Sequence, residues 1–158
     1  MTISRRNDLP LLYVLSTPSG RTDSEEMPLV ILMHGRGADS NDLADVAPLL
    51  DGPAGYRFIF PNAPKPFEAY PGMSFGWTWF DGWPPLQESV AASRELLLRF
   101  LDEVTARYPT TGLILSGFSQ GASVNVVPVC AAKSSLRAFR KCANGFAAPP
   151  PPGCTSKW

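Results

Sequence analysis

The stretch from Leu113 to Val127 reads LILSGFSQGASVNVV, and residues Gly117 to Gly121 at its centre have the form G-x-S-x-G. An apolar run precedes the pentapeptide and small residues follow it, which predicts a buried strand that turns sharply into a helix. Glycines on both sides of the serine let the strand and helix backbones approach closely, so that the side chain of Ser119 projects outwards. The stretch therefore predicts a nucleophile elbow at the carboxyl end of a central strand.

Apolar runs upstream of this motif predict the remainder of a sheet. Four runs are predicted to be buried strands: residues 11–18, 29–35, 56–61 and 112–117. Apolar side chains recur at steps of mostly three or four over residues 86–108, which predicts a long amphipathic helix closed by Pro109. Strands that alternate with helices at these intervals predict an α/β fold with a mostly parallel sheet, flanked by helices on both faces.

Two connections between these strands are informative. Residues 41–50 predict a short helix with Asn41 or Asp42 as its cap. Residues 62–85 are rich in proline, glycine and aromatic side chains and are predicted to form a long loop. Loops of this length in a compact domain are usually functional or disordered, and the aromatic content argues against disorder.

Composition excludes several classes of protein. The chain has 158 residues, which favours one domain, and its formal net charge is zero, which gives no overall field for nucleic acid or an anionic membrane. No apolar run approaches the roughly 18 residues of a membrane span. Asp8 and Pro10 interrupt the amino-terminal segment, so we expect no secretion signal and a cytoplasmic location.

Charge is distributed unevenly along the chain. Residues 1–119 carry a net charge of −5 and residues 120–158 a net charge of +5. We predict an enzyme-like core over residues 1–124 and an atypical basic tail, rich in cysteine and proline, over residues 125–158. A nucleic acid or an acidic partner is an alternative for this tail, but its charges are few and dispersed. The three cysteines are Cys130, Cys142 and Cys154. Their spacing is not that of zinc ligands, and we expect no disulfide framework.

A glycine-rich turn follows the second predicted strand. The sequence MHGRGAD begins at Met33 and places Gly35 and Gly37 where the backbone can approach a neighbouring strand end. A loop at this position donates one backbone N–H to an oxyanion in serine hydrolases that have a nucleophile elbow, and the residue after the serine donates the other. The predicted donors are the amides of Arg36 and Gln120.

Four motifs occur in one order between residues 28 and 123: MHGRGAD, FPNAPKP, GMSFGWTWFD and GFSQGA. Together they resemble the phospholipase/carboxylesterase family of small serine hydrolases, which includes bacterial carboxylesterases and acyl-protein thioesterases. The resemblance implies an α/β-hydrolase fold with Ser119 as nucleophile, and Arg36 and Gln120 as oxyanion donors. It implies short-to-medium acyl esters or thioesters as substrates, without a metal or cofactor. It also implies four residues that face the substrate: Met73, Trp77, Trp79 and Phe80.

The chain departs from this family after the serine. The family's catalytic order is serine, aspartate, histidine, whereas the 39 residues after Ser119 contain no Asp, Glu or His. The one histidine, His34, lies on the predicted oxyanion loop, where a packed structural role is expected. We therefore expect a fold without its last strands and helices, and weak or absent activity.

Two accounts of this departure remain open. One is a natural carboxyl-terminal truncation with drift, and the other, which we favour, is an altered reading frame near codon 124. Pro128 falls where the family has helix interior, and residues 138–153 only faintly resemble the family's next strand, with Arg140 and Lys141 at positions expected to be apolar.

Three functions are compatible with the sequence. The first is a serine esterase by descent, and the second is a non-catalytic acyl-binding or interaction protein. The third is a split enzyme completed by another chain. Missing strands would expose a sheet edge, so self-association or a partner chain that covers this edge is expected.

Overall fold

The computed structural model describes residues 1–50, 55–124 and 139–141, and they form a six-stranded sheet, a separate two-stranded hairpin and helices. The strands are β1 Thr2–Arg6, β2 Tyr13–Thr17, β3 Leu29–Met33, β4 Arg57–Pro61, β5 Lys65–Tyr70, β6 Met73–Thr78, β7 Leu113–Gly117 and β8 Phe139–Lys141. The helices are a 3-10 turn Ala44–Val46, α1 Ala47–Leu50, α2 Gln87–Arg107 and α3, which covers residues 120–124.

The large sheet has the strand order β1-β2-β4-β3-β7-β8. β1, β2 and β4 pair antiparallel, whereas β4, β3, β7 and β8 run parallel. The predicted mostly parallel sheet with helices is confirmed, and the four predicted strands are present with ends shifted by at most two residues. The carboxyl ends of β3 and β7 lie side by side, since Met33 pairs with Gly117. This adjacency places the glycine-rich turn beside the serine motif.

Both faces of the central strands are buried because successive side chains point to opposite sides of the sheet. Leu15 and Ile31 pack into a core that includes Leu97 and Phe100 of α2. The alternate residues of β2, β3 and β4 belong to a second core on the other face, which Ala47 of α1 joins: Val14, Val30, Phe58 and Phe60. The continuous apolar runs in the sequence reflect this double burial.

Helix α2 confirms the predicted amphipathic helix. Tyr108 caps the helix directly before Pro109. Five residues of the predicted stripe are buried: Val90, Leu97, Leu101, Val104 and Tyr108. Leu86, the first residue of the stripe, is 59% exposed because it adopts an extended conformation as the N-cap. The helix therefore begins one residue later than the apolar pattern.

Three local predictions differ from the structure. β1 was not predicted, because the short edge strand TISRR has no apolar run. Residues 62–85 do not form a loop throughout, since they contain the β5–β6 hairpin, whose register shifts twice. Leu43 is the N-cap of the 3-10 turn, with no side-chain cap hydrogen bond. Asp42 instead accepts a hydrogen bond from the N–H of Asp39 at 2.6 Å, so the predicted cap is wrong.

The stretch 125–158 is described only at β8, which pairs in parallel with β7 at the edge of the sheet. The faint resemblance of this stretch to a strand is therefore matched by three paired residues. Pro128 and the three cysteines lie outside the described residues.

Arg57 connects two loops at the end of the sheet opposite the serine motif. It is fully buried, and its Nη2 donates to the carbonyl oxygens of Thr22 at 2.9 Å and Glu25 at 3.1 Å. Its guanidinium also lies 5.2 Å from the ring centroid of Tyr108. Burial lowers the pKa of this guanidinium. The interactions fix the entry to β3 and β4, the strands on which the site depends.

Candidate active site

Ser119 lies at the tip of a sharp turn between β7 and α3. Its φ is 51°, and it is the one non-glycine residue with positive φ in the described part of the chain. Positive φ strains a residue that has a Cβ, and such strain clusters at functional sites. The side chain of Ser119 is exposed, as the predicted nucleophile elbow requires.

Glycine is required on both sides of this turn. A Cβ on Gly117 would lie 2.6 Å from the carbonyl carbon of Gly121. A Cβ on Gly121 would lie 2.5 Å from the carbonyl oxygens of Met33 and His34, which is closer than real Cβ contacts. The elbow therefore depends on three backbones in contact, and this is the steric reason predicted for the motif.

The carboxyl end of β3 lies against the elbow. The N–H of Phe118 donates to the carbonyl oxygen of Met33 at 2.9 Å. A Cβ on Gly35 would lie 3.5 Å from the Cβ of Ser119 and 3.1 Å from Cδ1 of Phe118. The structure thus brings the two predicted glycine motifs into contact around the serine.

The two predicted oxyanion donors lie on different segments: Arg36 on the loop after Gly35, and Gln120 at the start of α3. In the described ranges, the N–H groups of Arg36 and Gln120 take part in no turn, loop or cap hydrogen bond. The Gln120 amide opens α3, where backbone N–H groups lack helical partners. Gly37 has φ +77°, and its N–H donates to the carbonyl oxygen of Trp77 at 2.8 Å. The exposed guanidinium of Arg36 stacks 4.8 Å from the ring centroid of Phe67 on the hairpin.

His34 is a structural residue in this arrangement. It is buried, and its Nε2 accepts a hydrogen bond from the N–H of Ala63 at 2.9 Å. The ring proton therefore resides on Nδ1, which donates to the carbonyl oxygen of Gly35 at 2.7 Å. Burial lowers the pKa of His34 and keeps the ring neutral. With both nitrogens bound to backbone, this histidine holds the oxyanion loop, as the sequence position indicated.

The four residues expected to face the substrate divide into two pairs. Met73 is 55% exposed and Trp77 is half-buried, whereas Trp79 has no exposed surface and Phe80 is 4% exposed. After β6 the chain turns into the core, where Nε1 of Trp79 donates to the carbonyl oxygen of His34 at 2.9 Å. Trp79 and Phe80 are thus buried in the core, and their contact with substrate stays a prediction.

Sequence reasoning missed the side chain of Gln120. It is 7% exposed and binds the chain directly after β6: Oε1 accepts from the N–H of Trp79 at 2.8 Å, and Nε2 donates to the carbonyl oxygen of Phe80 at 2.8 Å. Only this orientation of the amide satisfies a backbone donor and a backbone acceptor. No local pattern in the sequence signals this contact, since its partners lie about forty residues upstream.

A cleft of about 600 Å³ lies between the hairpin and the start of α2. Nζ of Lys65 lies 2.6 Å from Oδ2 of Asp81, and the Ser89 hydroxyl also donates to this oxygen. The hydrogen bond from Lys65 lowers the pKa of Asp81. The ion pair therefore lines the cleft together with the apolar side chains of Leu86 and Ala92. No cluster of three or more metal-ligating side chains occurs among the described residues.

The contact between α3 and β3 is tested by Gly121→Ala. We expect the free energy of unfolding to fall by about 3 kcal/mol, because the new methyl group collides with two carbonyl oxygens. Gly112→Ala is the matched control, since a Cβ at Gly112 meets no atom within 4 Å. Urea denaturation should show the control unchanged or stabilised by up to about 1 kcal/mol. Equal stability of the two variants would contradict the described packing.

The state of His34 is tested by the pH dependence of stability. Its folded pKa lies below the ordinary value of 6.5, so only the unfolded chain takes up a proton as the pH falls below about 6.5. Stability should therefore be highest above this pH and decline towards the folded pKa, by at most about 1.4 kcal/mol per pH unit.

Thermal unfolding between pH 7.5 and pH 5, in steps of about half a unit, measures this decline. His34→Gln should be less stable but nearly independent of pH over this window. Carboxylates with lowered pKa do not interfere, because their ordinary values lie at 4.5 or below: Asp8, Glu25, Asp39 and Asp81. An equal decline in the variant would show that another group titrates.

The fold has known counterparts. A carboxylesterase from Mesorhizobium loti superposes with a TM-score of 0.62 at 20% identity, over 86% of this chain and 61% of that one. Esterase PE8 superposes with a TM-score of 0.55 at 31% identity, over 70% of this chain and 54% of that one. Acyl-protein thioesterase 2 from Zea mays superposes with a TM-score of 0.50 at 23% identity, over 73% of this chain and 49% of that one. The chain thus spans about half to three fifths of the length of these structures, whose likeness establishes the α/β-hydrolase fold.

Comparison by sequence gives the family. A search of curated proteins with this sequence found no match. As a separate observation, none of the helices in the described ranges is both long and apolar enough to span a membrane. The sequence profile of the Phospholipase/Carboxylesterase family matches residues 20–152, which is most of the chain. The chain belongs to the phospholipase/carboxylesterase family of α/β-hydrolases.

Proposed function

We propose that this chain carries the nucleophile and the oxyanion-binding half of a carboxylesterase-type serine hydrolase. Its substrates are short-to-medium acyl esters or thioesters, which form an acyl-serine intermediate. The observation that carries this proposal is the strained, exposed Ser119 packed against Gly35, the residue directly before Arg36. Family membership and esterase neighbours at the level of the fold support it.

The reaction follows from this geometry. Oγ of Ser119 attacks the carbonyl carbon of the ester and gives its proton to a base, while the carbonyl oxygen becomes an oxyanion. The N–H groups of Arg36 and Gln120 stabilise this charge, which a preorganised pair of donors does without reorganisation. Collapse of the intermediate releases an alcohol or thiol, which takes a proton, and water then hydrolyses the acyl-serine.

The proposed contacts of the acyl group are exposed apolar side chains next to Ser119 and on the hairpin. Phe118 is 70% exposed next to the nucleophile, and Met73 and Phe75 on the hairpin are 55% and 49% exposed. These surfaces favour an uncharged acyl chain over a polar one, because burying them against the chain removes apolar area from water. Met73 and Trp77 are the proposed substrate contacts on the hairpin.

The sequence supplies no residue that can act as the general base in this reaction. His34 is the one histidine, and backbone atoms occupy both of its ring nitrogens. We therefore propose that this chain alone turns over esters weakly or not at all, with an advantage over water of about a thousandfold from binding and the oxyanion donors. Addition of a base in trans, by a partner chain that covers the sheet edge, belongs to the same proposal.

The missing base also favours a second candidate function. A pseudoenzyme that binds acyl groups without cleaving them would retain the donors and the apolar surfaces while lacking a proton acceptor. The two functions differ in one respect, because only the enzyme forms a covalent bond to Ser119.

Imidazole should rescue acylation of Ser119 by replacing the absent base. We expect the chain, incubated with p-nitrophenyl butyrate, to accumulate a butyryl adduct that increases with imidazole concentration. The reason is that a diffusible base accepts the Oγ proton, and the activated p-nitrophenyl ester acylates Ser119 faster than the alkyl ester of the adduct is hydrolysed. Peptide mass spectrometry locates the adduct.

Two serine variants make this test specific. Ser119→Ala should give no adduct. Its rate of ester hydrolysis measures the background reaction of imidazole in solution, which is subtracted from the rate of the unmodified chain. Ser123→Ala, which removes an exposed hydroxyl one helical turn further along, should retain the adduct. A folded chain that binds butyrate but forms no adduct at any imidazole concentration would favour the pseudoenzyme. Ordinary esterase turnover without imidazole, lost in Ser119→Ala, would show that the chain contains a base.

A further inference from the structure

We propose that the side chain of Gln120 is a positioning residue that holds both oxyanion donors in register through one segment, residues 76–80. We name this segment the brace. The inference rests on the proposed function and adds to it a role for the Gln120 amide side chain and for Thr78, neither of which touches the reacting atoms.

The first link joins α3 to the brace. Oε1 of Gln120 accepts from the N–H of Trp79 at 2.8 Å, and the hydroxyl of Thr78 lies 3.1 Å from the same oxygen. Nε2 of Gln120 donates to the carbonyl oxygen of Phe80 at 2.8 Å, and the Thr78 hydroxyl lies 2.8 Å from that carbonyl as well. All of these residues are buried, so loss of either partner leaves polar groups unsatisfied.

The second link joins the brace to the oxyanion loop. The N–H of Gly37 donates to the carbonyl oxygen of Trp77 at 2.8 Å, and the N–H of Trp77 donates to the carbonyl oxygen of Ala38 at 2.9 Å. Gly76 has φ +64°, and a Cβ there would overlap the carbonyl oxygen of Gly37. The brace therefore lies in backbone contact with the residue that directly follows Arg36.

Side chains on both sides of Arg36 reinforce this link. The indole N–H of Trp79 in the brace donates to the carbonyl oxygen of His34, before the glycine turn. Phe67 on the neighbouring strand stacks under the Arg36 guanidinium. The loop is thus held by the hairpin at the residues before, at and after the donor.

The consequence is a mechanical connection between the two donors. The amide of Gln120 is fixed by α3, and the amide of Arg36 by a loop that hydrogen-bonds to the brace. An oxyanion needs both donors within about 2.7–3.1 Å, and displacement by about 1 Å can reduce a rate a hundredfold. Because the Gln120 side chain bonds to the brace, one residue contributes a donor and also anchors the segment that places the other.

Gln120→Met tests this connection, because methionine keeps the length of the side chain and removes its hydrogen bonds. We expect amide hydrogen exchange at Gly37 and Trp77, measured by NMR, to accelerate at least about tenfold, although neither residue contacts Gln120 directly. Inactivation by a fluorophosphonate should show an unchanged KI and a kinact about 10- to 100-fold lower, because reagent binding is independent of the donors.

Thr78→Val provides a second variant in case Gln120→Met does not fold. It removes one hydroxyl from the brace and should accelerate exchange at the same two amides by a smaller factor. Thr105→Val is the matched control, since that hydroxyl bonds a backbone carbonyl oxygen in α2, and it should leave both amides unchanged.

The exchange data decide the proposal independently of catalysis. Faster exchange at Gly37 and Trp77 in a folded variant supports the brace, even if Ser119 of the unmodified chain never reacts, in which case the proposed function alone fails. Exchange that accelerates only at Trp79, or a KI that rises while kinact is constant, would overturn the positioning role.

Discussion

Behind Ser119, three backbone segments lie in direct contact, and the site depends on this contact. The carbonyl oxygens at the end of β3 lie so close to Gly121 that a methyl group has no room there. The parallel pairing of β3 with β7 brings the segments together, and glycine allows them to touch. Strain at Ser119 is tolerated because this packing and the hydrogen bond from Phe118 to Met33 hold the turn in place.

His34 lies beside this contact, and its hydrogen bonds to the backbone decide whether its ring can accept a proton. In many serine hydrolases a histidine hydrogen-bonded to the serine accepts its proton and later returns it. Here the ring bridges two loops, and burial favours its neutral form. The same residue therefore stabilises the oxyanion loop and is unavailable to Ser119. The fold brings Ser119 against the glycine-rich loop, and under the proposed function the proton acceptor is a group other than His34.

Much of this arrangement could be predicted from local sequence. Continuous apolar runs predicted β3, β4 and β7 because those strands are buried on both faces, and the spacing of glycines predicted the elbow because its sterics are local. β1 and the hairpin escaped prediction, since their side chains face solvent and show no clear period. The inward turn of Trp79 and the buried contacts of Gln120 depend on partners about forty residues away, which a single sequence does not reveal.

The central claim is that Ser119 accepts an acyl group opposite the amides of Arg36 and Gln120. A crystal structure of the chain after reaction with a diethyl phosphate ester in imidazole buffer tests it most directly. The account predicts phosphorus bonded to Oγ of Ser119, with the phosphoryl oxygen about 2.7–3.1 Å from both amide nitrogens. An unmodified serine, or a phosphoryl oxygen directed to solvent away from both amides, would contradict it.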